Sequence, residues 1–475
     1  MSSLLEDILQ RVDRRYRLPG LSMARAYLLA ADPATRLAAV IEEARRSLAQ
    51  QEPPGPVLQR LFVDALAQLI REAMHSDTGD PAIQALVLRQ SAAAVGEYAS
   101  LSAGALQDER EVRGIVNAIA HPAKLKRLPA GDMKRQLGQL HASGENSAWL
   151  AMSHAAEASL AHPAITDPVV AGTLAKLLDS PALQRLQRLE ALRANNQVQR
   201  YEALREQHGP RAKSSQAIKT GAASRRRGAE VETLTRQALD ALAERLNKAE
   251  EAQTGGLAAY RVVTSMRVPA SFPNKLQHAK TEWDAVLLRR AHGASANTGP
   301  NDIRASASLW DVCLLTEAKA SVEAASTDLP RLVRGLRLLA GADANASHLF
   351  QTREGAVQLR SASLRTLATD EDSLRKTVLY CCDAPAANAL RPLNAASRML
   401  LLSAPASLEY AATLEGPQPS RVDPGPPALE TIWNELLKSP RWRGVLQQYP
   451  AQRLARELMV HTADLLAAVK GSSLS

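Results

Sequence analysis

Three residues in one stretch have the types and spacing to do chemistry: Asp284, Glu317 and Lys319. Two apolar runs, Trp283-Asp284-Ala-Val-Leu-Leu288 and Leu309-Trp-Asp-Val-Cys-Leu-Leu-Thr-Glu317-Ala-Lys319, flank a Gly/Ala/Ser/Asn-rich segment over 291–306. That pattern predicts a β-hairpin with a long loop. Side chains on a strand alternate faces, so Glu317 and Lys319, two apart, project to one side. Antiparallel pairing sets the start of the first strand beside the end of the second, which brings Asp284 next to Glu317 and Lys319. Two carboxylates and an amine converging at a sheet edge suit a hard divalent cation and its bound water. A solvated strand face can also carry Glu-x-Lys. Here, however, Glu317 follows the apolar run Val312–Leu315, which reads as a central strand, and charges at the end of such a strand need partners or a metal. Asp311 also follows a Trp and precedes apolar residues. It lies on the same strand as Glu317, on the order of 20 Å away, too far to share an ion. Hairpin geometry pairs it instead with Arg289 and Arg290.

These residues need elements to hold them. Ala229–Leu246 reads as a helix with Val231, Leu234, Ala238, Leu242 and Leu246 on its inner face. It carries Glu232, a third acid for the site, with Glu230 as the alternative. A strand over Tyr260–Val268 ends at Pro269, and the hairpin strands follow at about 282–290 and 308–319. A helix over Leu329–Ala340 and a strand over Lys376–Cys382 complete the run. Helix, three strands, helix, strand is an α/β layer, a mixed sheet with flanking helices.

On these residues the stretch from about 228 to 385 resembles the PD-(D/E)XK nuclease superfamily, whose core is an α-β-β-β-α-β unit. Gly228-Ala-Glu-Val-Glu232 is similar to the Gly-x-x-x-Glu of its first helix. Trp283-Asp284-Ala-Val-Leu-Leu288 is similar to its Asp-bearing strand, with Trp in place of Pro. Leu314-Leu-Thr-Glu317-Ala-Lys319 is similar to its Glu-x-Lys strand. The resemblance implies a metal-dependent nuclease hydrolysing phosphodiester bonds, with DNA the expected substrate and restriction or phage defence a fitting role. It implies that Asp284, Glu317 and the Ala318 carbonyl hold Mg²⁺, or Mn²⁺ in its place. Lys319 then orients the attacking water or stabilises the phosphate, and Glu232 assists. Two other readings stay open: an inactive nuclease-like fold that only binds nucleic acid, and an interaction protein working through its N-terminal helices.

Charge fits a polyanionic partner. The 475-residue chain carries a formal +9, and its basic residues cluster near the expected site. Arg331 and Arg334, with Arg337 at the next threefold step, form a ridge on the second helix. Lys275 and Lys280 lie in the turn before Asp284, and Arg225, Arg226 and Arg227 precede the first helix. Each set is expected to contact nucleic-acid backbone; a solvated face reads the same way.

Other chemistries lack their motifs. Gly-Lys never occurs, which excludes a Walker A loop, and neither His-Glu-x-x-His nor Gly-x-Ser-x-Gly is present. The ten His residues show no metal-ligand spacing. The three cysteines, Cys313, Cys381 and Cys382, form no Cys-x-x-Cys pair and read as buried free thiols in a cytoplasmic protein. No apolar run approaches the roughly 20 residues of a membrane span.

The rest of the chain is Ala-, Leu-, Arg- and Gln-rich and reads as helix. Residues 1–206 are expected to be an all-α domain whose helices start at Asp32-Pro33, Asp80-Pro81, Asp167-Pro168 and Ser180-Pro181. A long helix is predicted over 183–207. A basic flexible linker is expected over 207–227, a nuclease-like domain over 228–413, a Pro/Gly linker over 414–427 and a short helical segment over 428–475. A protein partner on residues 1–206 and a homo-oligomer are both compatible with this layout.

Overall fold

The computed structural model describes residues 3–163, 165–208, 215–254, 259–270, 272, 276–291, 308–344, 346–385, 391–414 and 427–471. Lys275, the hairpin loop from 292 to 307, residues 209–214 and the Pro/Gly-rich segment over 415–426 lie outside the described residues.

The chain forms two compact units. One comprises residues 1–66, 213–401 and 430–475; the other comprises 67–212 and 402–429. The described part of the second unit is helices and their connections. Asp80 and Asp167 cap helices there by accepting the N–H groups of Ala82 and Val169, each with Pro at the first helical position. In the first unit Asp32 does the same for Ala34 and Thr35, whereas Ser180 in the second makes no side-chain cap. The single helix expected over 183–207 is two, Pro181–Leu192 and Asn196–His208. Asn195 breaks it by turning its side chain onto the N–H groups of Gln197 and Val198, the local bond that makes Asn a cap rather than a helix-interior residue.

The first unit is α/β. Its strands among the described residues are β1 (Tyr260–Arg267), β2 (Glu282–Arg290), β3 (Leu309–Ala318), β4 (Ser347–Thr352), β5 (Gly355–Arg360), β6 (Val378–Cys382) and β7 (Met459–His461). Helices that pack against them include α1 (Ser3–Arg11), α2 (Ser215–Thr254), α3 (Val322–Ala340) and α4 (Thr462–Lys470). β1, β2 and β3 form an antiparallel meander, and β3, β6 and β7 run parallel. The β4–β5 hairpin pairs with β1 at Arg267 and with β3 at Leu309 and Trp310. Pairing therefore closes a ring through β2, β1, β4, β5 and β3.

Each face of the sheet has its own core. Val286, Leu315, Val378 and Tyr380 pack with Leu329, Leu332 and Leu336 of α3. Leu287, Leu314, Leu379 and Cys381 pack with Leu239 and Leu242 of α2, Leu5 and Ile8 of α1, and Leu465 and Val469 of α4. Strict alternation along β6 produces this split. It breaks in β1 and β2: Val263 with Met266, and Trp283 with Val286, are three apart yet share one core. The break falls at Ser265 and Asp284, which the strand register skips. Ser265 sits at φ 50°, in the left-handed region that a non-glycine residue enters at a cost of about 1–3 kcal/mol.

Several expectations need correction. Residues 215–227 are the opening turns of α2, not a flexible linker. Ala, Arg, Gln and Lys favour helix, and no Pro follows until Pro269. Leu234 is exposed, while Thr235 and Leu239 face the sheet, because the buried stripe follows the helical period rather than every apolar residue. The β4–β5 hairpin and β7 were not expected. Residues 1–66 do not belong to a separate N-terminal domain, because α1 is part of the sheet's core.

α3 bears on the site through Gly335. A Cβ there would lie 2.9 Å from both the Cβ and the carbonyl oxygen of Lys280 and 3.2 Å from the Trp283 ring. Gly335→Ala is expected to cost about 1–3 kcal/mol by overpacking. That exceeds the roughly 1 kcal/mol that Ala gains over Gly in a helix, so denaturant unfolding should show a net loss of stability.

Candidate functional site

Register brings Asp284, Glu317 and Lys319 together at one end of β3. β2 and β3 pair Ala285 with Thr316, and the Ala318 N–H donates to Asp284 Oδ2 at 2.9 Å. β6 fixes the other side: Glu317 lies opposite Tyr380, and the Lys319 N–H donates to the Cys381 carbonyl at 2.8 Å. Ala318 is thus tied to β2 through the Asp284 side chain, and Glu317 and Lys319 are set against β6 by backbone pairing.

Glu317 is the buried centre, with 0% exposure. Its Oε2 is 2.5 Å from Lys280 Nζ and 3.0 Å from Lys319 Nζ. Its Oε1 is buried and has no hydrogen-bond partner. Lys319 Nζ also lies 3.4 Å from Asp328 Oδ2 on α3, an oxygen that accepts the Tyr380 hydroxyl at 3.3 Å. Glu232 stands at the rim, exposed on α2.

Charges here shift one another. Burial pushes the Glu317 carboxyl up to about 8, Asp284 adds to the push, and Lys280 and Lys319 offset it only in part. Burial works against the Lys319 ammonium, but Glu317, Asp328 and Asp284 outweigh it and hold its pKa above the usual lysine value. Lys319 is therefore a firm cation at neutral pH. The Glu232 carboxyl is raised by partial burial, then by Asp284 and Glu282, and is lowered by Lys319 and Arg353. That coupling ties Glu232 to the site. Glu230, two residues earlier, projects from the opposite side of the helix, about 200° away.

The basic residues divide. Arg331 and Arg337 are exposed on α3, and the Arg334 guanidinium donates to the His278 carbonyl at 3.2 Å. Arg225 and Arg226 are exposed, and Arg227 lies 3.5 Å from Asp383. Lys280 is different: it is 7% exposed and faces Glu317 rather than the surface. Asp311 also has another partner than expected. It lies opposite Arg289 in the register, yet its carboxylate takes two bonds from Arg360 of β5, while Arg289 bonds Glu250. An arginine on an unforeseen strand outcompetes the cross-strand neighbours.

Sequence reasoning passed over Asp328, Tyr380 and the inward role of Lys280. Asp328 carried a signal: it lies three residues after Ala325 and beside Leu329, within the stripe that α3 buries. Tyr380, inside an apolar strand, carried none.

Among the described residues no group of three or more His, Cys, Asp or Glu side chains gathers closely enough to hold a metal ion. The expected set is smaller, two carboxylates and a backbone carbonyl. One observation fits it: a buried carboxylate oxygen rarely goes without a partner, and Glu317 Oε1 does so beside Asp284. The residues present suit a hard cation.

The buried carboxyl also predicts a pH dependence. The folded chain holds the Glu317 proton up to about pH 8, whereas ordinary glutamate releases it near 4.5. Stability from this group is full below 4.5 and is lost as pH rises to about 8, on the order of a few kcal/mol in total. Urea unfolding at pH 5 and pH 8 should show a larger loss for the wild type than for Glu317→Gln; equal losses would refute the buried proton. No protein-family model matches the chain, and neither a curated protein nor a solved structure matches it.

Proposed function

We propose that this chain is a metal-dependent nuclease acting on nucleic acid, with DNA as the substrate. The observation that carries the reading is the convergence of Asp284, Glu317 and Lys319 at the end of β3, with one oxygen of Glu317 buried and unpartnered. Asp284, Glu317 and the Ala318 carbonyl would hold Mg²⁺ or Mn²⁺. When bound, such an ion lowers the pKa of a coordinated water and offsets charge growing on the phosphate.

The chain's own residues do the rest. Lys319, kept protonated by three carboxylates, acts as a hydrogen-bond donor and fixed positive charge toward phosphate oxygens or water, not as a base. Asp328 and Tyr380 keep its ammonium aimed. Glu232, at the rim with a raised pKa, can orient a water and take its proton. Arg331, exposed on α3, and Arg225 and Arg226, exposed on α2, offer contacts to backbone phosphates.

Lys319→Ala is expected to keep the far-UV circular dichroism of the wild type and to lose at least about 100-fold in Mg²⁺-dependent cleavage of plasmid DNA. Cleavage equal to wild type would reject the assignment, and a gel shift without any metal-dependent cleavage would favour a binding module. Arg331→Ala should weaken DNA binding across sequences and reduce the slope of log K against log salt by about one.

A further inference from the structure

Lys280 is held as firmly as the residues of the triad. Its N–H donates to the Arg331 carbonyl on α3 at 3.1 Å. Its Cβ and carbonyl oxygen press against Gly335, where no side chain fits. His278, two residues earlier, turns the chain inward at φ 57°. This local structure carries the ammonium to 2.5 Å from Glu317 Oε2, with only 9% of the side chain exposed. Lys319 approaches the same oxygen but divides its charge with Asp328. Both amines leave Oε1 alone.

We propose that Lys280 is a positioning residue that sets which divalent cation the site accepts, by occupying Oε2 of Glu317 and leaving Oε1 as its one free oxygen. The proposal rests on the reading of this site as a cation site. A carboxylate oxygen has two lone pairs, so with Lys280 and Lys319 both on Oε2 only Oε1 is left to ligate, and removing Lys280 returns one lone pair of Oε2 to the cation. Single-oxygen ligation suits Mg²⁺ or Mn²⁺, small ions that take few protein oxygens at about 2.0–2.2 Å and keep their waters. Ca²⁺ prefers six to eight oxygens at about 2.3–2.6 Å and gains from carboxylates that bind through both. Lys280 thereby discriminates against the larger ion without touching either.

Calorimetric titration of the full chain with MgCl₂, MnCl₂ or CaCl₂ alone, without nucleic acid, tests this. The wild type should bind Mn²⁺ and Mg²⁺ more tightly than Ca²⁺. Lys280→Met should raise the affinity for Ca²⁺ relative to Mg²⁺ by about 10-fold, the scale on which residues supporting a ligand act. If circular dichroism shows that Lys280→Met does not fold, Lys280→Thr, polar but too short to reach Oε2, carries the same expectation. Lys280→Gln keeps a donor for Oε2 without the charge and should stay close to the wild-type ratio. An unchanged ratio in the Met or Thr variant, with cations still binding, overturns the role of Lys280 alone. A Gln variant that shifts as far as Met overturns it too, since charge rather than occupancy of Oε2 would then decide. A wild type that binds no divalent cation overturns both this proposal and the reading beneath it.

Discussion

A carboxylate buried at the end of a central strand is the constraint on which the rest of this site depends. Taking one charge out of water costs several kcal/mol unless partners replace the solvent. Glu317 is given two ammonium groups on one oxygen and none on the other, and its carboxyl stays raised to about 8 even so. Delivering those partners occupies much of the surrounding fold. β3 carries Lys319, the turn before β2 carries Lys280, α3 supplies Asp328, and β6 supplies Tyr380 to hold Asp328. Ser265 and His278, both in the left-handed region, flank this arrangement in register and in sequence. Backbone strain of this kind persists where surrounding structure enforces it, and it concentrates at functional sites.

The amines and acids divide the work by environment. Lys319 lies among three acids and keeps its proton, while burial makes the Glu317 carboxyl hold its proton far more tightly than an ordinary glutamate, up to about pH 8. Glu232, open to solvent, responds to both Asp284 and Lys319. Environment thus sets the acidity of each: burial raises both carboxyls, and neighbouring acids raise the Lys319 ammonium.

Much of the triad was legible because strand geometry is simple. Period-two spacing put Glu317 and Lys319 on one side, and antiparallel pairing put Asp284 beside them; the bonds at 2.9 and 3.0 Å follow from those two rules. The α/β order of elements was equally readable. What escaped was non-local. Nothing in the sequence around Lys280 says that Gly335 opens a slot for it, because that contact joins residues far apart in the chain. The β4–β5 hairpin had a faint signal, Phe350, Val357 and Leu359 alternating about Gly355 at φ 109°, masked by polar neighbours. β7, at three residues, is shorter than any periodicity can register. The basic stretch before Gly228 failed for another reason: charge suggested a linker, while the helix propensity of Ala, Gln and Arg decided the backbone.

One core joins α1, near the first residues, with β7 and α4, near the last, and an ion pair from Arg15 to Asp464 reinforces the join. Long-range closures of this kind come late, since the entropy of bringing the ends together is spent before the contacts form. On a ribosome the sheet cannot gain β7 beside β6 until residue 461 has emerged, and β6 holds the Tyr380 that steadies Asp328 and Lys319. A chain grown only just past residue 319 would therefore carry the Glu-x-Lys strand without the frame that aims it.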